Sequence, residues 1–306
     1  MKIPALAIHG GSGTAPNSIR DKRITKIYLD ALQEALEAGF YLLKHDHSAL
    51  ETVAKAVSVL EDCELYNAGK GSVFTANGEH EMDAAIMDGK TLEAGAIAGI
   101  QGIKNPVLLA NDILHHTSFV MLSGSKAMDF AKEQGYEFYP PSYFFTQYRY
   151  DQWQAVKGSE KIKLDHSHGD STFGTVGAVA VDSNGNLAAA TSTGGVTNKK
   201  WGRVGDSPLI GAGTYANNKT CAVSCTGYGE YFIRGVVAYD VSSRMEYGGM
   251  SLEQAVQEVV HKKLKEMGGE GGLISIDSQG NIYMPFNTEG MYRGMMNDED
   301  SFTQIL

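Results

Sequence analysis

The stretch GTVGAVAVD, residues 174–182, decides the fold of this chain. Successive side chains of a strand point to opposite faces, and here both faces carry only small or apolar residues. Such a strand belongs in a sheet that is covered on both sides. The polar, patternless run at residues 157–173 precedes it and is typical of an exposed loop. One face carries Val176, Ala178 and Ala180, and the other carries Gly177, Val179 and Val181.

The strand begins at a threonine that cleavage of the loop would expose. If the Gly174–Thr175 bond breaks, Thr175 becomes an N-terminal residue. Its α-amine, with a pKa of roughly 7.7–8.0, could then activate its hydroxyl near neutral pH. Thr175 is therefore a candidate nucleophile, although threonine is also common at the start of structural strands.

A hairpin is expected to bring a second hydroxyl close to this one. Asn184-Gly185 lies between two apolar runs and predicts a two-residue turn. That register places Thr175 opposite Gly194, beside Thr193. The alternative interpretation is a pair of threonines that only hydrogen-bond across strands.

Two later motifs carry charged and turn-forming residues. In GRVGDSP, residues 202–208, a guanidinium could hold a carboxylate and a carboxylate could hold an ammonium group, so Arg203 and Asp206 could grip an amino acid. A surface ion pair is the alternative. The motif CTGYGE, residues 225–230, precedes a predicted helix, whose free N–H groups suit a developing oxyanion.

These motifs, in this order and spacing, resemble the plant-type L-asparaginase/isoaspartyl aminopeptidase (beta-aspartyl-peptidase) family of N-terminal-nucleophile (Ntn) hydrolases. The likeness runs from His9 to Arg293. It implies hydrolysis of β-aspartyl (isoaspartyl) dipeptides and of the side-chain amide of L-asparagine, both small-molecule substrates.

The resemblance also implies an architecture. Strands cluster at both ends of the chain with helices before and after them, which suits an α+β fold with two stacked sheets between helical layers. The family has this four-layer αββα sandwich. We expect one domain over residues 1–306, cut between Gly174 and Thr175 into an α chain (1–174) and a β chain (175–306). Two such αβ pairs are expected to form a dimer, a heterotetramer of four chains.

Roles for individual residues follow from the resemblance alone. Thr175 is the expected nucleophile and Thr193 assists it. The Thr226 hydroxyl and the Gly227 N–H are expected to form the oxyanion hole. Arg203 and Asp206 are expected to bind the substrate α-carboxylate and α-amine. The other implied substrate-binding residues are Asn67, Val204, Gly205, Tyr228 and Gly229.

The same family binds a sodium ion through backbone carbonyls in the loop at residues 61–72. Carbonyl oxygens suit a hard cation. A structural sodium ion is therefore expected here, and no organic cofactor. The carbonyls that the resemblance implies belong to Leu60, Glu61, Cys63, Tyr66, Ala68 and Lys70.

Composition bounds the class of protein. The 306 residues are 42% hydrophobic and 20% charged, as in a soluble globular protein. The net charge of −10 with no basic stripe argues against a nucleic-acid partner. Three cysteines without metal-ligand spacing argue against a disulfide framework or a zinc site. No run reaches the ~20 apolar residues of a membrane span, and the first residues lack a signal-peptide core, so we expect a cytoplasmic protein.

Two other functions stay open. Glycosylasparaginase, of the same superfamily, has a nucleophile that typically follows an aspartate, whereas Phe173-Gly174 precedes Thr175. A non-catalytic ligand-binding module could use the glycine-rich turn HGGSGT, residues 9–14, but Pro16 follows that turn instead of a helix and no Walker lysine is present. The aromatic segment at 139–153 is expected to pack onto the body, and DHSHGD, residues 165–170, is expected to be a solvated loop.

Hydrophobic periodicity and capping signals predict the remaining elements. Ser48 and Glu51 predict a capping box at the second helix. The predicted helices cover about 24–44, 48–60, 106–115, 123–133, 226–245 and 252–267. The other predicted strands cover 3–8, 72–76, 82–89, 94–100, 209–215, 220–226, 272–277 and 281–286.

Overall fold

The computed structural model describes residues 4–13, 22–158 and 174–306. Most of the predicted loop before Thr175, the 165–170 segment, and Thr14 and Pro16 lie outside the described residues. The helices are α1 (Lys22–Lys44), α2 (Ala49–Asp62), α3 (Pro106–His116), α4 (Gly124–Glu133), α5 (Pro141–Phe144), α6 (Gln147–Gln154), α7 (Gly229–Gly235), α8 (Val237–Glu246) and α9 (Leu252–Gln257). The strands are β1 (Ala5–Gly13), β2 (Met82–Asp88), β3 (Ala94–Ile100), β4 (Met121–Ser123), β5 (Val176–Val181), β6 (Leu187–Thr193), β7 (Thr214–Ala216), β8 (Cys221–Gly227), β9 (Gly271–Asp277), β10 (Ile282–Tyr283), β11 (Gly290–Asn297) and β12 (Ser301–Gln304).

The strands form two sheets, so the fold is α+β as expected. The larger sheet has the order β12-β11-β1-β5-β6-β2-β3-β4, and the smaller has β10-β9-β8-β7. Neighbouring strands are antiparallel except for β3 and β4. The decisive strand β5 lies inside the larger sheet between β1 and β6, so both its edges are paired.

Each face of β5 is buried in a different cluster, as its sequence predicts. Val176, Ala178 and Ala180 belong to a core that also contains buried residues of α1, α2 and α3. Val179 and Val181 belong to a second core shared with β8 and β9 of the smaller sheet. A third core joins the other face of β8 to α7, α8 and α9.

Most helices have the predicted bounds within a few residues, and α9 continues directly into a π-helix over Glu258–Leu264, so the predicted helix at 252–267 is also close in extent. The capping box of α2 is confirmed: the Ser48 hydroxyl accepts from the Glu51 N–H at 3.2 Å, and the Ser48 N–H donates to the Glu51 carboxylate at 3.0 Å. The predicted helix at 226–245 is two helices, broken at Val236, whose φ is +48°. The N–H groups after the break donate to the carbonyls of residues 211 and 212, which replace their helical partners.

Several predicted strands are wrong in extent. Residues 72–76 form only an isolated bridge through Thr75, and of the predicted 209–215 strand only Thr214 and Tyr215 pair with β8. In contrast, the predicted glycine-rich turn from His9 to Gly13 continues β1, because β11 pairs with it through an irregularity after His9. No sequence pattern beyond residue 293 predicts the end of β11 or the strand β12.

The aromatic segment packs on the body in two short helices. Phe144 and Trp153 are buried, and the Trp153 ring stacks on Phe74 with centroids 5.5 Å apart. None of the helices in the described part of the chain combines the length and apolar character needed to cross a membrane.

Candidate active site

Thr175 lies at one end of the larger sheet, directly before β5, and its side chain is turned toward β6. The residue is 8% exposed. Its Oγ1 donates to Oγ1 of Thr193 at 3.1 Å, and the same Thr193 oxygen accepts from the Gly195 N–H at 3.0 Å. The two hydroxyls that the sequence brings together are therefore in direct contact.

The predicted register of this hairpin is wrong by one residue. Val176 pairs with Ser192, which places Thr175 opposite Thr193 and not Gly194. The turn has three loop residues, because the Asp182 carboxylate accepts the N–H groups of Asn184 and Asn186 and the Asp182 N–H donates to the Asn186 carbonyl. Only Gly185 has positive φ, as a three-residue hairpin loop requires, whereas an Asn-Gly type I′ turn needs two.

A pocket opens beside Thr175 between the ends of the two sheets. The pocket is open to solvent, and its empty space, open solvent included, is about 380 Å³. Thr226 and Gly227, at the end of β8, form its side on the smaller sheet. The residues that line it are Gly174, Thr175, Thr193, Gly195, Val196, Arg203, Gly205, Asp206, Ser207, Thr226, Gly227 and Gly229.

The Thr226 hydroxyl is held with its proton free for the pocket. Its Oγ1 accepts from the Ser12 N–H at 3.2 Å, and the Ser12 hydroxyl donates to the Thr226 carbonyl at 2.9 Å. Since that N–H can only donate, the Thr226 hydroxyl proton remains available. Gly227 has φ of +154°, and a Cβ there would lie 2.5 Å from the Glu270 carbonyl oxygen, so only glycine fits.

Arg203 and Asp206 line the pocket, but they do not pair with each other as the alternative interpretation of their motif requires. Arg203 donates from Nε and Nη2 to the two carboxylate oxygens of Glu230, at 2.9 and 2.8 Å. This fork fixes the guanidinium plane, and Nη1 lies beside Gly195 and Gly205 of the lining.

Asp206 is a buried carboxyl group that lacks a partner. It is 4% exposed, and its Oδ2 has no hydrogen-bond partner among the described residues. Burial raises the pKa of Asp206 to about 7. A buried charge of this kind costs free energy until a cation or donor pairs with it, so a positive group bound in the pocket that Asp206 lines would stabilise the carboxylate.

The other predicted binding residues lie around the pocket. Gly205 and Gly229 line it, whereas Val204 and Tyr228 are half-buried outside the lining. Asn67 is buried behind it: its amide donates to the Gly195 carbonyl at 2.7 Å and accepts from the Val73 N–H at 3.0 Å. Asn67 therefore holds the turn that carries Gly195.

Four further residues contact the site, and none of them has an individual role predicted from the sequence, although the resemblance implies that the turn from His9 to Thr14 lines the active site. Glu230 anchors Arg203 and Ser12 anchors Thr226, as described above. His9 contacts the Thr175 carbonyl at 3.1 Å and the Ser224 hydroxyl at 2.9 Å. No sequence pattern distinguishes Ser12 or Ser224 from other serines. His9, at the end of a buried strand, and Glu230, four residues after Thr226, could have been recognised as candidate site residues.

The loop of the predicted sodium site is folded around its own carbonyl groups. A Cβ on Gly69 would lie 2.3 Å from the Glu61 carbonyl oxygen, and one on Gly71 would lie 2.1 Å from that of Tyr66. The Glu61 carboxylate accepts from the Val107 N–H at 3.0 Å and so ties the loop to α3. The described residues contain no cluster of His, Cys, Asp or Glu side chains suited to a metal ion.

A threonine pair at the end of a sheet, with a third threonine hydroxyl, an arginine and a buried carboxyl group in the same pocket, suits a hydrolase with a hydroxyl nucleophile. The chain belongs to the asparaginase family, whose profile, described as "Asparaginase", matches residues 2–305. The resemblance inferred from the sequence motifs is thus confirmed.

Curated relatives cover almost the whole chain. An "Isoaspartyl peptidase" of Escherichia coli strain K12 is 51% identical over 96% of this chain and 92% of its own. A "Putative isoaspartyl peptidase/L-asparaginase" of Dictyostelium discoideum is 48% identical over 96% and 93% of the two chains. A "Plant-type L-asparaginase" of Pyrococcus abyssi is 41% identical over 96% of each.

Proposed function

We propose that this protein cuts its own chain between Gly174 and Thr175 and then uses Thr175 to hydrolyse β-aspartyl dipeptides and L-asparagine. The single observation that carries the proposal is the Thr175–Thr193 hydroxyl contact in a pocket that Arg203 and Asp206 also line. The names of the relatives, isoaspartyl peptidase and plant-type L-asparaginase, support the choice of substrates.

Maturation is an intramolecular acyl shift. The Thr175 hydroxyl attacks the Gly174 carbonyl carbon, the C–N bond between the two residues breaks, and the nitrogen leaves as the Thr175 α-amine. Water then hydrolyses the ester and gives a Gly174 carboxylate. The pocket position of Gly174 beside Thr175 supports this step.

Turnover repeats the attack on a substrate. The free α-amine of Thr175 takes the hydroxyl proton, and the oxygen attacks the side-chain carbonyl carbon of the aspartyl unit. The Thr226 hydroxyl and the Gly227 N–H stabilise the oxyanion, and Thr193 orients the nucleophile. Ammonia or an amino acid leaves with the proton, and water releases aspartate from the ester.

The grip on the substrate is electrostatic. The Asp206 carboxylate, whose Oδ1 lies beside Gly229 of the lining, pairs with the substrate ammonium group. Arg203, fixed by Glu230, donates to the α-carboxylate. Asp206 and Arg203 together bind the α-amine and α-carboxylate of the substrate, so the β-carbonyl faces Thr175.

For the mature protein we infer a four-layer αββα sandwich of one domain, made of an α chain (1–174) and a β chain (175–306). The division of the buried residues among three cores, two of which join helices to a sheet and one of which joins the sheets, supports the layering. Assembly as a dimer of αβ pairs rests on the resemblance.

We also propose a structural sodium ion in the loop at residues 61–72, where the carbonyl oxygens of Glu61 and Tyr66 lie against Gly69 and Gly71. The carbonyl of Tyr66 accepts only one short backbone bond, from Ala68 at 3.0 Å, and a carbonyl oxygen has a second lone pair. When bound, the ion would hold the loop that carries Asn67. The carbonyls proposed to hold it are those of Leu60, Glu61, Cys63, Tyr66, Ala68 and Lys70.

Activity on three substrates tests the function. Purified protein should release leucine from β-aspartyl-leucine and ammonia from L-asparagine, and it should leave glycosylated asparagine intact. Thr175→Ala should abolish both activities, whereas Thr175→Ser, which keeps a hydroxyl, should retain them. Hydrolysis of glycosylated asparagine alone would favour the glycosylasparaginase alternative, and activity in Thr175→Ala would overturn the nucleophile.

A further inference from the structure

A buried histidine lies directly behind the candidate nucleophile and takes no part in the proposed chemistry. His9 is on β1, opposite Gly177 of β5, and it is fully buried. Its ring spans the gap between the sheets, since Nδ1 contacts the carbonyl oxygen of Thr175 and Nε2 contacts the hydroxyl of Ser224 on β8. Burial of this completeness for a polar ring requires both nitrogens to be satisfied.

The two contacts fix the tautomer of the ring. A carbonyl oxygen can only accept, so Nδ1 of His9 carries the proton. Burial lowers the pKa of His9 to about 3, so the ring is neutral and Nε2 is an acceptor. Ser224 must therefore donate its proton to Nε2. With both nitrogens engaged and one protonation state, His9 cannot act as a general base.

Ser224 is itself held by further hydroxyl groups. Its Oγ lies 2.7 Å from Oγ1 of Thr191, which lies 2.7 Å from Oγ1 of Thr214. Thr214 also contacts the Ser207 carbonyl at 3.0 Å, and Ser207 follows Asp206 in the pocket lining. The chain of hydroxyl groups thus connects His9 to the segment that carries Asp206.

Room for the ring is made by a glycine. A Cβ on Gly177 would lie 2.4 Å from Nε2 of His9 and 2.0 Å from Oγ of Ser224. Gly177 is extended inside β5, so its conformation does not require glycine. The close approach of the imidazole and the serine hydroxyl does.

We propose that His9 is a positioning residue for Thr175: its Nδ1–H holds the Thr175 carbonyl, and Ser224 holds the ring. Thr175 lies before the first paired residue of β5, so the β5–β6 ladder alone does not fix it. With its carbonyl held by His9 and its hydroxyl by Thr193, the direction of its Cα–Cβ bond is set. The inference rests on the proposed role of Thr175 as nucleophile.

Two amide variants separate this role from simple packing. The side-chain nitrogen of asparagine occupies the place of Nδ1, so His9→Asn can still donate to the Thr175 carbonyl. The amide of glutamine reaches the place of Nε2, so His9→Gln keeps the Ser224 contact and loses the carbonyl. Glutamine is closer to histidine in volume, so packing alone favours His9→Gln.

The proposal predicts the opposite order in kcat. His9→Gln should lower kcat for β-aspartyl-leucine by about 10- to 100-fold, since a displacement on the order of 1 Å can cost ~10²-fold. KM should stay unchanged because Arg203 and Asp206 are untouched. His9→Asn should restore most of kcat even if its melting temperature is lower. Equal losses in both variants, or a better kcat in His9→Gln, would overturn the proposal.

The imidazole tautomer gives a second readout that needs no activity. The ¹⁵N spectrum of the folded protein should show a neutral, Nδ1-protonated His9 that does not titrate between pH 5 and pH 9. Ser224→Ala should keep this tautomer, because the Thr175 carbonyl still requires the proton on Nδ1. A wild-type ring protonated on Nε2 would contradict the proposal even if neither His9 variant folds. If wild type hydrolyses neither substrate, the proposed function fails, and the tautomer still decides whether His9 holds the carbonyl.

Discussion

Replacing Asp206 by asparagine tests whether the buried Asp206 carboxylate destabilises the protein when no substrate is bound. Asp206 is buried, and burial raises its pKa from 3.8 to about 7. At pH 8 the empty site therefore holds a negative charge that nothing fully stabilises. Asp206→Asn removes this charge at almost constant volume. The variant should lose substrate binding and yet gain stability at alkaline pH relative to the wild-type residue.

The magnitude follows from the pKa. Because the pKa is raised in the folded state, the contribution of Asp206 to stability is fully present below 3.8 and is lost as the pH rises to about 7. Within that range each pH unit costs about 1.4 kcal/mol. A protein with Asp206 should therefore lose roughly 3 kcal/mol between pH 5 and pH 8 through this group, and the asparagine variant should not.

Urea unfolding of a single chain measures this difference. We would compare Thr175→Ala with Thr175→Ala/Asp206→Asn at pH 5 and pH 8, since the first change keeps the backbone unbroken in both. Glu133→Gln, which removes an exposed carboxylate of α4, serves as the matched control for the loss of one carboxylate. A stability difference between the pair that is the same at both pH values would refute the reasoning.

Three further outcomes are expected. Arg203→Ala should be cleaved normally but raise KM about 10- to 100-fold, since a hydrogen bond to a charged group contributes about 1.5–3 kcal/mol. Arg203→Lys, which cannot form the paired hydrogen bonds to Glu230, should recover only part of the lost affinity. An unchanged KM would exclude Arg203 from substrate binding. KM for L-asparagine should rise as the pH falls below about 7, the pKa of Asp206 in the empty pocket; a pH-independent KM would contradict its role. Gly177→Ala should destabilise the chain by about 1–3 kcal/mol through overpacking. Adding Ser224→Ala should relieve part of that loss in the double variant. Additive losses would show that the new methyl group at position 177 does not clash with the Ser224 side chain.

The elements that the sequence predicts well are those whose pattern is local. The alternation in residues 176–181 is sufficient for a doubly covered strand, and Ser48 with Glu51 is sufficient for a helix start. The register of the β5–β6 hairpin was missed because the Asp182 carboxylate, three residues before Gly185, decides the turn. The signal was present, but the Asn184-Gly185 pair suggested a tighter loop.

The candidate site divides in the same way. Thr175, Thr193, Arg203, Asp206, Thr226 and Gly227 were predicted from motifs and line one pocket. Contacts between distant parts of the chain could not be predicted from local patterns. His9 contacts Thr175, 166 residues away in sequence, and Ser12 contacts Thr226, 214 residues away. Sheet pairing of β1 with β5 and β11 creates these contacts, and no local pattern encodes the pairing of β1 with β11.

The most direct test of the account follows chain integrity and activity in one sample. Freshly purified protein is incubated, and intact mass, N-terminal sequence and hydrolysis of β-aspartyl-leucine are measured at each time point. The account predicts a fragment that begins at Thr175 and an activity that rises in proportion to it. Full activity in a sample whose Gly174–Thr175 bond is unbroken would contradict it.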